Sequence, residues 1–286
     1  MESLKNKIDF VVLVTADKAN VNGDPLNGNM PRADYDGYGE ISDVCIKRKI
    51  RNRMQDLGYK IFVQSDDRCY DNCKSLSERA ESNLGEPESK AEYAKKACEK
   101  WIDVRSFGQV FAFKENAQEK DKGVSVGVRG PVSIHQAVSV SPIQIKSMRI
   151  TRSVNGKLVK GKASDTMGMK HMVNFGLYKI KGSINVQLAK KTGFTDDDAK
   201  VLKECLRTLF VNDASSARPE GSMEVYKLYW WQHNCKDGQY SSAKVHRSVK
   251  IELKNKDDMP KSVDDYVIQY DDSEIKGLNV EIIDGI

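Results

Sequence analysis

The sequence lacks the features of a membrane or secreted protein. It has no apolar run long enough to cross a bilayer, no amino-terminal apolar stretch behind a basic segment, and no Asn-x-Ser/Thr sequon. These absences argue against a membrane span and a secretory leader, so we expect a cytoplasmic protein with no membrane partner. With 39% hydrophobic residues in 286, the chain can bury a substantial core.

The sequence also lacks a concentration of cysteine, since its six cysteines are spread over 286 residues. Disulfide scaffolds concentrate cysteine in short secreted chains, so we expect these thiols to be reduced. Cys69 and Cys73 with Cys98, or His233 with Cys235, could supply zinc ligands, but neither group has a second closely spaced pair. We therefore expect no metal and no cofactor.

Charge is nearly balanced overall but unevenly distributed. Lys and Arg total 46 against 41 Asp and Glu, a net charge of +5, and the acids gather at residues 196–198 and in the last 30 residues. The remainder of the chain is therefore more basic than the total suggests, which is typical of a protein with a local polyanion-binding surface.

The strongest local signal is a loop rich in Asn and Gly that leads into a basic helix. Gly and Pro at 23, 25, 28 and 31 favour turns with free main-chain N–H groups, which suit phosphates or sugars. The helix is predicted to begin near Ser42 or Asp43, with Lys47 and Arg51 on one face. The loop contributes polar candidates at Asn20, Asn22, Asn27, Asn29 and Arg32, and the helix contributes Lys47, Arg48 and Arg51.

This basic run has two interpretations. Charged runs on helices are usually solvated faces, but here Asp43 and Asp56 flank the run without interrupting it. We therefore expect uncompensated repulsion unless an anion docks, and we expect replacement of Lys47 and Arg51 by Ala to leave folding intact. Ile46, Ile50, Met54 and Leu57 form the predicted buried stripe.

The order of predicted elements indicates an α+β fold. Strands are predicted at 8–14, 123–140, 173–188 and 223–231, the last of the chain, with helices after the Asn/Gly loop and after Thr195. This order is the ferredoxin-like or RNA-recognition-type arrangement, interrupted by two insertions. A further helix is predicted over 88–101, in the first insertion. Tyr226, Tyr229, Trp230 and Trp231 are expected to be core or interface residues.

The second insertion, residues 144–171, is predicted to be a protruding basic hairpin. Asn155-Gly156 is a strong hairpin turn signal. Its candidate binding residues are the basic Arg149, Arg152, Lys162, Lys170 and His171, together with Met167 and Met169.

Several segments together resemble the repeated backbone subunit of type I-C CRISPR surveillance complexes, the Cascade effectors. They are NGDP (22–25) with GNMPR (28–32), SDVCIKRKIR (42–51), VRSFGQV (104–110), GVRGPV (127–132) and TMGMKHM (166–172). The resemblance implies a ferredoxin-like palm, a helical fingers insertion and a basic β-hairpin thumb. The implied domains are 1–63 as the first half of the palm, 64–122 as fingers, 123–143 as a palm strand, 144–171 as thumb, and 172–286 as the second half of the palm with an acidic C-terminal segment.

The resemblance also implies a function. It implies a non-catalytic subunit that polymerises along CRISPR RNA (crRNA) and presents it to a target DNA strand for antiviral defence, with base pairing supplying the specificity. The implied partners are crRNA, target DNA, other copies of the chain, and the 5′-handle-binding, large and small Cascade subunits, with a helicase-nuclease recruited indirectly. Lys47 and Arg51 would bind guide phosphates, the 20–32 loop would line the same groove, and Met167 and Met169 would be wedges between bases, although both could instead pack the base of the hairpin.

Two other functions stay open. An RNA endonuclease on the same fold could use His171 as a general acid or base, with Asp24 or Asp34 in the first loop. The simpler roles are hydrogen bonding for His171 and turn formation for Asp24. A stand-alone single-strand RNA-binding protein is the other alternative, and it would need exposed stacking aromatics.

Overall fold

The computed structural model describes residues 2–85, 89–112, 125–151 and 167–286. Within these ranges the strands are β1 (Ile8–Ala19), β2 (Gly23–Asp24), β3 (Met30–Pro31), β4 (Tyr38–Ile41), β5 (Gly108–Ala112), β6 (Ser125–Arg129), β7 (Val132–Ile134), β8 (Ala137–Pro142), β9 (Ile145–Thr151), β10 (Met167–Ile184), β11 (Met223–Gln232), β12 (Val249–Leu253), β13 (Tyr266–Tyr270) and β14 (Val280–Asp284). The α-helices are α1 (Asp43–Asp56), α2 (Leu76–Leu84), α3 (Lys90–Lys100), α4 (Ile102–Phe107), α5 (Val186–Thr192), α6 (Asp196–Arg207) and α7 (Ser242–Arg247).

A large antiparallel sheet organises the molecule. Its strands run in the order β14, β11, β1, β10, β8, β4, and β7 and β9 also pair with β10. The central strand is β1, whose residues 8–16 are all buried. Burial on both faces explains why this segment is nearly continuously apolar.

The two faces of the sheet pack against different layers. Phe10, Val12 and Val14 belong to a core that includes the apolar stripes of α1 and α6. The alternating residues Val11 and Leu13 pack on the opposite face, in a core formed with α7 and the C-terminal strands. Tyr229, Trp230 and Trp231 are buried, so the prediction that they are core residues is confirmed for these three.

Residues of the first insertion form a smaller core together with Phe62 and Val126, which flank the insertion. Phe62 packs against Trp101 and Phe111, with ring centroids 4.7 and 5.1 Å apart. The GVRGPV and VRSFGQV segments meet where β5 pairs with β6, and a Cβ on Gly130 would lie 2.3 Å from the Ser106 carbonyl oxygen. Only glycine fits this close backbone approach.

Several predicted boundaries are wrong. The strand predicted over 173–188 ends at Ile184, because Asn185 caps α5, which contains Leu188. The strand at 223–231 is not the last, since β12, β13 and β14 follow it. The helix predicted over 88–101 is Lys90–Lys100, and Leu57 is a half-exposed cap after α1 instead of a member of its buried stripe.

Helices α1 and α6 begin where the sequence predicts. The Ser42 hydroxyl accepts a hydrogen bond from the Cys45 N–H, and Thr195 forms a capping box with Asp198. No helix within the described ranges is both long enough and apolar enough to cross a membrane.

Candidate nucleic-acid interface

Two of the predicted loop asparagines are used inside the protein. The Asn20 side chain is buried and donates from Nδ2 to the Asn29 carbonyl oxygen at 2.7 Å. The Asn22 Oδ1 accepts a hydrogen bond from the Ser42 N–H at 2.9 Å, which ties the loop to the start of α1. These contacts fix the loop, and direct binding of RNA by Asn20 and Asn22 stays a prediction.

The tip of the same loop is displayed to solvent. Asp24 Oδ1 accepts hydrogen bonds from the Leu26 N–H and from Arg32 Nη2, both at 3.2 Å. Gly28 and Asn29 have φ angles of 58° and 61°, the left-handed region that Gly and Asn adopt most readily. Asn27 and Asn29 are exposed, so they are the loop amides that a ligand can reach first.

The basic run in α1 is compensated by carboxylates, so the predicted uncompensated repulsion is wrong. The pairs are Lys47 with Asp43 at 2.9 Å, Lys49 with Asp213, Arg51 with Asp103 at 2.9 Å, and Arg53 with Asp56 at 3.2 Å. Two of these acids come from distant parts of the chain, which the pattern within the helix could not reveal.

Arg51 in particular connects α1 to the first insertion. Asp103 is fully buried and also accepts hydrogen bonds from the main-chain N–H groups of Phe62 and Val63, at 2.6 and 3.1 Å. The Arg51 guanidinium also lies 5.1 Å from the Phe107 ring centroid. Arg51 therefore has a structural role that argues against the expected harmless replacement by Ala.

Arg48 and Lys47, the neighbours of Arg51 on α1, differ in how readily they can contact a ligand. Arg48 donates from Nη1 to the Val63 carbonyl oxygen at 2.8 Å, and burial, together with the charge of Arg51, lowers the pKa of Arg48. Among the described residues, the carboxylate that pairs with Lys47 is partly exposed and lies one turn earlier in the same helix. A phosphate can replace such a pair at small cost, so Lys47 is the best placed of the predicted helix contacts.

The segment predicted to be a protruding hairpin, residues 144–171, contributes to a two-stranded ribbon within the described residues. Strand β9 pairs with the first part of β10, and Met169 lies opposite Arg149, with His171 opposite Ser147. Because side chains alternate along strands and paired residues share a face, Met167, Met169, His171 and Arg149 lie on one face of this ribbon. Lys170, opposite Met148, lies on the other face.

The ribbon face combines apolar and polar groups. Met167 and Met169 are 68% and 51% exposed. His171 Nδ1 and the Ser147 hydroxyl are 2.7 Å apart, within hydrogen-bond distance. Arg152, Lys162 and the Asn155-Gly156 turn lie outside the described residues.

Arg218 is a further cation that the sequence reasoning missed. Its Nε donates to Asp213 Oδ2 at 3.1 Å, and Asp213 also pairs with Lys49. The adjacent Ala217 carbonyl oxygen accepts a hydrogen bond from the Asn20 N–H at 2.9 Å, so the loop that carries Arg218 lies directly beside the 20–32 loop. A single Arg in a loop distant in sequence gives no signal by itself.

Acid groups in this region have roles in loop structure. Asp34 Oδ1 accepts hydrogen bonds from the N–H groups of Asp36 and Tyr38, at 3.0 and 2.8 Å.

Burial raises the pKa of the nearby Cys45 thiol, which disfavours the thiolate. Among the residues with described positions, no group of three or more His, Cys, Asp or Glu is arranged to hold a metal ion.

This chain is similar in sequence to one protein family and in fold to solved structures. The family described as CRISPR-associated protein Cas7 matches residues 6–271. A CRISPR-associated protein Cas7 from Haloferax volcanii is 23% identical over 220 residues, which cover 71% of this chain but only 64% of that relative. Two solved structures are also similar, a pre-nicking CRISPR RNA-guided surveillance complex (TM-score 0.49, 14% identity, 84% of this chain and 81% of that one) and a CRISPR RNA-guided surveillance complex (TM-score 0.45, 16% identity, 88% and 77%). The family match over residues 6–271 covers most of this chain, so the chain belongs to the CRISPR-associated protein Cas7 family.

Proposed function

We propose that this chain is a non-catalytic backbone subunit of a type I-C Cascade complex. In this proposal several copies polymerise along crRNA and present it for pairing with a target DNA strand. Membership of the Cas7 family supports the proposal at the level of the family. Support from the chain itself comes from the exposed face of the β9–β10 ribbon.

The methionines on this face are the observation that carries the proposal. Burying one large apolar side chain is worth about 1.5–3 kcal/mol, so leaving Met167 and Met169 exposed forgoes that stabilisation in the isolated chain. Nucleic-acid bases offer flat apolar surfaces, and apolar side chains inserted between bases interrupt their stacking. Arg149, on the same face, can meet the phosphates that flank such a wedge.

The sheet fits the proposed palm. The predicted first, third and fourth palm strands correspond to β1, β10 and β11. The second, predicted as one strand over 123–140, is divided into β6, β7 and β8, and only β8 takes the expected place, in the spatial order β11, β1, β10, β8. We interpret this order as a ferredoxin-like palm, with α2, α3 and α4 in the fingers and the β9–β10 ribbon at the base of the thumb.

The proposal extends to the partners implied by the resemblance. They are crRNA, the target DNA strand, further copies of this chain, and the 5′-handle-binding, large and small subunits, with indirect recruitment of a helicase-nuclease. Coexpression with neighbouring operon products tests this directly. We expect a defined small RNA to copurify, and recovery of the complex without RNA would contradict the proposal.

The wedge itself can be tested with a matched control. Replacing Met167 and Met169 by Ala should abolish a periodic nuclease footprint on bound RNA. Met259 is 54% exposed in the C-terminal part of the chain, so Met259→Ala removes an equally exposed methionine away from the ribbon and should preserve the footprint. An unchanged footprint in the double variant would exclude the wedge.

We further propose that the subunit does not cleave nucleic acid. Asp24 is engaged by Arg32 and the Leu26 N–H, and His171 lies within hydrogen-bond distance of Ser147, contacts that favour positioning roles. Labelled guide and target strands should stay intact with Mg²⁺ or Mn²⁺. Cleavage that disappears in Asp24→Ala or His171→Ala would favour the endonuclease alternative.

A further inference from the structure

A basic cavity lies on the sheet face opposite α1. Lys179 and Lys181 alternate along β10 with Tyr178 and Ile180, which belong to the core containing the α1 stripe. Alternation therefore places the two lysines on the other face. With Arg247 at the end of α7 they line a cavity of about 390 Å³.

Lys179 occupies the deepest cationic position. Its Nζ donates to the carbonyl oxygens of His246 and Val249, at 2.9 and 2.6 Å. An ammonium has three donors, and the described residues supply acceptors for these two. Burial, together with the charge of Lys181, lowers the pKa of Lys179 to about 8, so an anion in the cavity would stabilise the charged form.

The described residues that line the cavity offer cations and an aliphatic floor but no carboxylate. The floor is formed by Val138, Val140, Val249 and Ile251. Arg247 has a nearby acid in Glu274, but the pair is 3.9 Å apart and both side chains are 64% exposed, so it is weak. The Ser139 hydroxyl already bonds to the Gly39 N–H and the Ser141 carbonyl oxygen. The ligand that matches this lining is an anion with an apolar portion.

We propose that this cavity binds a phosphate group of a nucleic-acid strand other than the one on the β9–β10 ribbon. Lys and Arg recognise phosphate oxygens, and the aliphatic floor can pack against a sugar. Lys179 lies eight residues beyond His171 on the same strand, about 26 Å at about 3.3 Å per residue. The cavity is therefore a separate contact from the ribbon. The assignment to a second strand rests on the proposed function, which places the guide RNA on the ribbon, whereas phosphate binding by the cavity does not depend on it.

The test uses full-length protein saturated with unlabelled RNA. Binding of a fluorescein-labelled, non-complementary single-stranded DNA is followed by anisotropy at several salt concentrations. In Lys181→Glu/Arg247→Glu the Kd should rise on the order of tenfold or more, and the log–log salt slope should fall by about 0.7, the value for the one phosphate that the cavity no longer neutralises.

The control changes the same amount of charge elsewhere. Lys95 on α3 and Lys200 on α6 are highly exposed, and Lys95→Glu/Lys200→Glu should leave DNA binding close to wild type. Equal losses of affinity in both double variants would mean that the overall electrostatic field of the protein causes the effect, and would overturn the proposal. Unchanged DNA binding in Lys181→Glu/Arg247→Glu would overturn it as well. The milder Lys181→Ala/Arg247→Ala repeats the measurement if charge reversal impairs folding.

Two competitors identify the group that is recognised. Displacement of labelled DNA by both unlabelled DNA and AMP supports a phosphate site for a strand. Direct AMP binding that is lost in Lys181→Glu/Arg247→Glu, without any cavity-dependent DNA binding, assigns the site to a free nucleotide and overturns the proposal. Displacement by poly-aspartate alone overturns the proposal in favour of an acidic protein. If RNA fails to saturate the protein, the proposed function fails, but the DNA and AMP measurements on the free chain still test the cavity.

Discussion

Removal of the Arg51 side chain should destabilise the whole fold. In Arg51→Ala the fully buried Asp103 would lose its charged partner, whose Nε lies 2.9 Å from Oδ2. Breaking a buried ion pair typically costs 3–5 kcal/mol, and Asp103 would keep two main-chain N–H donors. We therefore expect a loss of about 3 kcal/mol in the free energy of unfolding, at the lower end of that range.

Urea denaturation followed by circular dichroism measures this loss. With a slope of about 3 kcal/mol per molar urea, the midpoint should fall by about 1 M. Lys47→Ala is the matched control on the same helix, because its partly exposed pair with Asp43 is worth at most about 0.5 kcal/mol. Equal midpoints for wild type, Lys47→Ala and Arg51→Ala would refute the assignment of Arg51 as a structural anchor.

Other changes test separate parts of the structure. Lys47→Ala should reduce the log–log salt slope of RNA binding by about 0.7, and an unchanged slope would assign Lys47 to a solvated surface. Asn22→Ala should lower stability by about 1 kcal/mol in urea, because the Ser42 N–H loses its acceptor. Burial lowers the pKa of His246 from its ordinary 6.5, so on acidification the unfolded chain binds the proton before the folded chain does. The free energy of unfolding should therefore fall as the pH drops below about 6.5, and His246→Gln should flatten this fall between pH 7 and 5. Tyr178→Phe should be neutral or raise stability by up to about 1 kcal/mol in thermal denaturation, since the buried hydroxyl has no hydrogen-bond partner among the described residues.

Local signals in the sequence predicted the elements that depend on local physics. Ser42 and Thr195 mark the helix starts correctly because capping involves groups within one turn. The apolar run that starts at Ile8 indicates a central strand because burial on both faces requires it. The buried Tyr229 and Trp231 likewise follow from their places in an apolar strand.

Tertiary contacts account for the failures. Asp103 and Asp213 compensate the basic helix from 52 and 164 residues away, so no pattern within α1 could reveal them. Asn22 lies in a sequence typical of a ligand-binding loop, yet its amide oxygen accepts a hydrogen bond from the Ser42 N–H at the start of α1. The cavity beside Lys179 requires β10, α7 and β12 to come together, and these elements are separated along the chain.

The measurement that tests the central claim most directly is the number of protein copies per RNA. Size-exclusion chromatography with light scattering should be run on the full chain with RNAs of increasing length. If this chain is a backbone subunit that polymerises along its guide, the number of copies per RNA should rise in steps with RNA length. One copy per RNA at every length would contradict the account.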